Sequence, residues 1–157
     1  MNKSKIAVMT LISIISIFVL TGCLNPNIVL ELEPDPIEFT KDNLSQEVTL
    51  KITTEGIGNI TLDEFAVIVT DKNGNDIYDN IYEIKLEDDQ FVFVGISAEE
   101  NFTLDLKKIY EAEYNNYDSQ LSFEEFYQAQ LKGESLKLKI MFSGSINPTL
   151  ETTIYLN

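Results

Sequence analysis

The sequence contains no histidine, arginine or tryptophan, and it contains a single cysteine. Without histidine, the usual Ser-His-Asp and Cys-His nucleophile systems cannot be built. Without histidine or a second cysteine, the common zinc and transition-metal sites are excluded as well. One cysteine cannot form an intramolecular disulfide, so stability must come from packing. An enzyme would have to work with carboxylates, tyrosines or lysines alone, and we predict that the protein is not an enzyme.

Cations are also scarce, because 11 lysines stand against 26 acidic residues and the formal net charge is −15. Nucleic-acid binding needs cationic side chains that displace counterions from phosphates. We therefore predict no nucleic-acid partner. Hydrophobic residues make up 44% of the chain and charged residues 24%, a composition typical of a folded domain.

The strongest motif lies at the start of the chain. Two lysines precede an apolar run over residues 6–20 that only three hydroxyl side chains interrupt. The run leads into the tetrapeptide Leu20-Thr21-Gly22-Cys23. A basic start, an apolar run and a small residue before a cysteine resemble the signal peptide and lipobox of prokaryotic lipoproteins.

The resemblance implies that residues 1–22 are removed and that the Cys23 sulfur carries a diacylglyceryl group. The protein would then be exported and held, by palmitate-type acyl chains, on the outer face of the cell membrane, or on the outer membrane if the organism has one. The 135 residues left would carry a net charge of −17, and residues 23–27 would be a short tether. The alternatives are a free thiol and a retained transmembrane helix, but fifteen residues span only about 22 Å of a core of about 30 Å.

From residue 28 onward, apolar and polar residues alternate with the period of β-strands. The pattern predicts about eight strands, near residues 28–33, 37–39, 48–53, 65–69, 77–86, 91–96, 102–106, 136–142 and 150–156, of which the first two are one strand broken by prolines. Pro34 and Pro36 favour an edge strand that changes partners. The continuous apolar run Phe65–Val69 predicts a strand that is covered on both faces.

One segment breaks this period. Ser122 and Glu125 form a capping-box pattern, which predicts a helix from Phe123 to Lys132 that ends before Gly133. A second helix would place Tyr110, Tyr114 and Tyr117 on one face, whereas the asparagines at 115 and 116 favour a loop. We expect this helical insertion to cover about residues 107–133, before the last two strands.

Short antiparallel strands with frequent turn signals predict a mainly β fold. The proline-broken first strand, the hairpin Phe65–Leu86 and the closing hairpin Leu136–Leu156 are similar to an immunoglobulin-like sandwich of 7–8 strands. The resemblance covers residues 28–157 and rests on pattern, because no Cys…Trp…Cys signature is present.

Aromatic residues concentrate in the predicted insertion. If they face solvent, they would form a patch for an envelope protein or a glycan, since tyrosine combines rigid contact area with a polar tip. The candidate partner-binding residues are Tyr110, Tyr114, Tyr117, Phe123, Phe126 and Tyr127. The alternative is that they pack the insertion onto the sandwich.

Two acidic patterns in the sequence also have simpler explanations. Residues 71–76 place oxygen ligands at alternate positions, and Asp71, Asn73, Asn75 and Asp76 are candidate Ca²⁺ ligands. The loop departs from the EF-hand pattern at its sixth and twelfth positions, and a hairpin turn with Gly74 at positive φ explains it as well. The pairs Glu99-Glu100 and Glu124-Glu125 do not point two carboxylates into one pocket. We therefore predict no catalytic residue, no cofactor and no metal site, with Ca²⁺ in this loop as the open alternative.

The sequence therefore predicts a non-enzymatic, lipid-anchored envelope protein whose sandwich is a binding or structural module. The first alternative is an accessory subunit of an envelope transport or secretion complex. A carboxylate-based hydrolase is a second alternative, which the residues favour less. The sequence does not determine the oligomeric state.

Overall fold

The computed structural model describes residues 27–55, 60–88, 97–117 and 121–157. The predicted signal peptide, Cys23, the tether before Asn27 and the predicted strand at 91–96 lie outside these residues. The strands are β1 (Asn27–Glu33), β2 (Ile37–Phe39), β3 (Ser45–Glu55), β4 (Ile60–Thr70), β5 (Asp76–Asp88), β6 (Ser97–Asp105), β7 (Ser135–Gly144) and β8 (Thr149–Leu156). The helices are α1 (Leu106–Ile109), α2 (Glu111–Tyr117) and α3 (Phe123–Phe126), and α3 continues into a π-helical turn (Tyr127–Leu131).

The strands form two sheets that pack face to face. One has the order β1-β3-β6, and the other has the order β2-β8-β7-β4-β5. All neighbouring pairs are antiparallel except β2 and β8, which are parallel. The prediction of a mainly β, immunoglobulin-like sandwich with a helical insertion before the last two strands is confirmed.

The first strand divides between the two sheets, as its prolines predict. β1 pairs with β3 along its whole length, from Asn27 opposite Glu55 to Glu33 opposite Thr49. After the break at Pro34–Pro36, β2 pairs with β8 in the other sheet. Proline has no N–H to give to a ladder, so the chain can leave one sheet here without losing a hydrogen bond.

The core lies between the sheets and is built from alternate residues. In β3, Val48, Leu50 and Ile52 are fully buried, whereas the residues between them are half-buried. The prediction that β4 is covered on both faces was wrong. Its inward side chains are buried, but Ala66 and Ile68 on the other face are only half-buried, because neighbouring side chains shield them and no described element covers that face.

The insertion lies between β6 and β7. The predicted capping box is present, since Ser122 Oγ accepts from Glu125 N at 3.2 Å and Glu125 Oε2 accepts from Ser122 N at 2.8 Å. The predicted helix from Phe123 onward forms, but its last turn widens to a π-helical turn that Lys132 N closes on Tyr127 O at 2.9 Å. Gly133 follows with φ of 86°. The stretch before this helix is also helical and forms α2. The loop that Asn115 and Asn116 favoured is therefore not present.

Candidate functional site

Most of the aromatic residues predicted to bind a partner lie in the core. The four buried side chains are Tyr110, Phe123, Phe126 and Tyr127. Tyr114 is half-buried, and only Tyr117, at 44% exposed, is open to solvent. The six candidate partner-binding residues therefore do not form one exposed patch, and the alternative, in which the rings pack the insertion onto the sandwich, is confirmed for these four.

The aromatic side chains hold the helices together. The Tyr114 ring lies 5.2 Å from the Phe123 ring in an edge-to-face arrangement, and its hydroxyl donates to Leu121 O at 2.8 Å. The Tyr117 ring meets Phe126 at 5.2 Å. These contacts hold α2 against α3.

The loop predicted as a weak Ca²⁺ site is a closed turn. Asp71 Oδ1 accepts from the backbone N–H groups of Asn73 and Asn75, each at 2.8 Å. The side-chain amide of Asn75 donates to Asp71 Oδ2 at 2.9 Å. These bonds, the Asn75 side-chain bond foremost, lower the pKa of Asp71. Gly74 has φ of 84°, as the hairpin explanation requires.

Neither predicted acid pair faces a common pocket. Glu99 and Glu100 are neighbours in β6 and point to opposite faces. Glu125 is committed to the helix cap, and Glu124 is exposed. Within the described residues, no group of three or more acidic or cysteine side chains is placed to hold a metal ion.

The best candidate site is a half-open cleft of about 520 Å³ between β5 and the first two helices. Its volume lies within the range of small-ligand sites. The lining residues are Tyr78, Asp105, Lys107, Lys108, Glu111, Tyr114 and Asn115. Only Tyr114 belongs to the set predicted from sequence. The sequence signal that could have identified this cleft is Asp105-Leu106-Lys107-Lys108, in which an N-cap acid at the end of a strand precedes a pair of lysines.

Local structure places the two lysines of the cleft. Asp105 Oδ1 accepts from the backbone N–H of Lys107 at 2.9 Å and of Lys108 at 3.4 Å, which starts α1. Leu106 and Ile109 are buried on either side. With those apolar residues directed into the core, the lysine side chains project outward.

The tyrosines form the apolar part of the cleft. Lys107 Nζ lies 5.9 Å from the centre of the Tyr114 ring, within cation–π range. Burial, followed by the hydrogen bond to Tyr82, raises the pKa of Tyr78 to about 12. The Tyr78 phenol is therefore a neutral group at physiological pH.

Two smaller depressions lie elsewhere on the described surface. One of about 320 Å³ lies where β1 leaves its sheet, with Leu30 and Leu150 among its lining residues. The other, of about 160 Å³, adjoins the Asp71 turn. There Lys72 Nζ is 2.9 Å from both Glu134 carboxylate oxygens, so its cation is already neutralised.

The cleft and the start of the fold lie at opposite ends of the sandwich. Asn27 pairs with Glu55 at one end of β3, which we call the N-terminal end. Asp105 pairs with Ser45 at the other, which we call the helical end. Eleven residues of β3 separate the two ends by about 33 Å at about 3.3 Å per residue.

No family model and no curated protein sequence matches the chain. Among solved structures, OgpA from Akkermansia muciniphila is 8% identical with a TM-score of 0.44, over 87% of this chain and 30% of that one. A protein from Archaeoglobus fulgidus is 9% identical with a TM-score of 0.40, over 84% and 95%. A β-glucosidase from Listeria innocua is 13% identical with a TM-score of 0.40, over 83% and 16%. The chain thus spans less than a third of OgpA, and similarity at these scores carries no functional argument.

The described part of the chain also contains no helix that is long and apolar enough to cross a lipid bilayer.

Proposed function

We propose that this protein is a lipid-anchored envelope protein whose sandwich presents a binding cleft away from the membrane. The observation that carries the proposal is the order Leu20-Thr21-Gly22-Cys23 after a basic and apolar leader. β1 begins at Asn27, four positions after Cys23. So short a tether reaches at most about 14 Å, which would keep the N-terminal end of the sandwich next to the bilayer.

Charge does not contribute to this orientation. Six of the nine lysines after Cys23 lie at the helical end, and they are Lys41, Lys72, Lys107, Lys108, Lys132 and Lys137. Exposed acids such as Asp63, Glu64 and Glu99 lie nearer the N-terminal end. Anionic headgroups repel an acidic surface and attract lysines, so electrostatics would not hold the N-terminal end at the bilayer and the short lipidated tether alone would do so.

The proposal is tested with the full chain produced in a prokaryotic host that processes lipoproteins. We expect metabolic labelling with an alkyne fatty acid, and an intact mass for a chain that begins at acylated Cys23. Cys23→Ser should lose the label. The double variant Cys23→Ser/Asn25→Cys retains a thiol two positions away, and it should also remain unlabelled because lipidation depends on position. A wild-type protein that keeps Met1 and carries no label would refute the proposal.

The accessory-subunit alternative predicts a stoichiometric neighbour. Chemical crosslinking in native membranes, followed by mass spectrometry, would then recover a permease or secretion component joined to the helical end. A lysine pair in the cleft gives amine-reactive crosslinkers a defined attachment point there. Crosslinks confined to this chain would favour a module that acts alone.

A further inference from the structure

The cleft contains two adjacent lysines in a strongly acidic protein. Across residues 27–55, 60–88, 97–117 and 121–157, the ion pairs involve Lys51, Lys72 and Lys139. Lys107 and Lys108 lie within 4.0 Å of no carboxylate in that part of the chain. Asp105 and Glu111 also line the cleft, but neither lies within ion-pair distance of the lysines. Two adjacent cations repel each other, so this placement favours an anionic group between them.

The cleft is prepared for such a group before binding. The Asp105 cap fixes the first turn of α1, and the contacts of Tyr114 fix α2. Both lysine side chains therefore start from backbone that the cap holds in place. Pre-arrangement of this kind lowers the entropy lost when a ligand binds.

The remaining lining residues are suited to hydroxyl groups. Glu111 and Asn115 are four residues apart on α2, so they lie on the same face of the helix, and both line the cleft. A carboxylate accepts hydrogen bonds, while an amide both donates and accepts them. The rings of Tyr78 and Tyr114 add flat apolar surface beside these polar groups.

We propose that the cleft binds an acidic saccharide, a sugar that carries one carboxylate or phosphate group. The anionic group would pair with Lys107 and Lys108, and the ring hydroxyls would bond to Glu111 and Asn115. A neutral sugar would offer neither lysine an ionic partner. A polyanionic peptide would place further carboxylates against Asp105 and Glu111, which repel them. The inference names the ligand of the proposed binding module, but it does not depend on the lipid.

The test uses the full chain, isotope-labelled and purified in detergent micelles, and follows amide NMR shifts during titration. The probes are glucuronic acid, glucose 6-phosphate, glucose and triglutamate. We expect one or both acidic sugars to shift resonances of Lys107–Asn115 and to bind at least about tenfold more tightly than glucose, the effect of two partly exposed ion pairs. The acidic sugar that binds more tightly identifies the anionic group as carboxylate or phosphate.

Matched variants separate a site from general charge effects. Lys107→Gln/Lys108→Gln should lower the affinity for the acidic sugar by about tenfold, to the level of glucose. Lys41→Gln/Lys137→Gln removes the same charge outside the cleft and should leave affinity within about twofold. Thermal melts of both variants check that they fold. Cys23→Ser should bind the acidic sugar with the affinity of the wild type. A failure of the proposed lipid anchor is therefore distinguished from a failure of the proposed binding site.

Four results would overturn the inference. Glucose could bind as tightly as both acidic sugars, or triglutamate could bind more tightly than either. The third is an equal loss of affinity in the two double variants. An absence of shifts around Tyr114 with every sugar, in a folded protein, would also reject it.

Discussion

Tyr127 provides a quantitative test of whether the aromatic insertion belongs to the core. Its side chain is 0% exposed, and its hydroxyl lies 3.0 Å from Phe39 O and 2.8 Å from Asn157 O. One hydroxyl thus joins the insertion to the end of β2 and to the residue after β8. Burial also raises the pKa of Tyr127, which keeps the phenol protonated as a donor.

We expect Tyr127→Phe to lower the free energy of unfolding by about 1 kcal/mol. A buried hydrogen bond contributes about 0.5–1.5 kcal/mol net. Phe39 O keeps a second donor, Asn157 N at 2.9 Å, so the loss should not approach the cost of a fully orphaned carbonyl. For a domain of this size, about 1 kcal/mol corresponds to a fall in Tm of about 3–5 °C.

Tyr127→Ala removes the ring as well as the hydroxyl. Truncation of a fully buried aromatic side chain costs about 3–5 kcal/mol, because lost burial and the remaining cavity add. The assay is urea unfolding followed by circular dichroism and by tyrosine fluorescence, with m-values compared between variants. An unchanged m-value would show that only stability differs.

Tyr155→Phe is the matched control, because it deletes the same hydroxyl from a side chain that is 43% exposed. It should change stability by less than about 0.5 kcal/mol. The reasoning is refuted if the two Tyr→Phe variants are equally stable, or if Tyr127→Ala costs no more than the control. Either result would mean that the insertion is not packed on the sandwich as described.

Four further predictions concern the turns, the caps and the titration of single groups. Gly144→Ala should cost about 1–3 kcal/mol in denaturant unfolding, because the new Cβ would lie 2.1 Å from Thr61 O. Ser122→Ala should cost about 1 kcal/mol through loss of the capping box. Tyr78→Phe should reduce the loss of stability between about pH 10 and 12, since a raised pKa stabilises the folded state below the unfolded pKa and the contribution disappears as pH rises through the folded value. Asp71→Asn should flatten the fall in Tm below about pH 4. A lowered carboxyl pKa stabilises the folded state while the carboxylate is ionised, and this contribution is lost as the pH falls through the folded pKa. Millimolar Ca²⁺ should leave the wild-type Tm unchanged.

The first two of these variants have a control in the chain. Ser143→Ala lies next to Gly144 and should be nearly neutral, while Ser122→Thr keeps a capping hydroxyl and should restore stability. A rise in Tm with Ca²⁺ would restore the metal site that the closed turn argues against.

Local patterns predicted the strands because each depends on near neighbours in sequence. Alternation in β3 follows from one buried face, and the prolines at 34 and 36 remove donors that a continuous ladder would need. Ser122 and Glu125 satisfy each other across a single turn. Such features need no knowledge of distant contacts, so they could be read directly.

The aromatic residues and the cleft could not be placed in this way. Whether Tyr127 faces solvent depends on its contacts with Phe39 at the end of β2 and with Asn157 after β8. These two residues are 88 and 30 positions away from Tyr127 in the sequence. The apolar run of β4 has the same composition whether or not a second layer covers it.

The sequence by itself determined the composition that excludes common catalytic and metal chemistry, the leader that resembles a lipobox, and the period of the strands. The tertiary structure decided which aromatic rings are buried, and it brought Tyr78 of β5 to the same cleft as Lys107 and Glu111. The physical reason is that a site is made by side chains from strands and helices far apart in sequence. These side chains line one cleft because the fold places β5 and the insertion next to each other at one end of the sandwich.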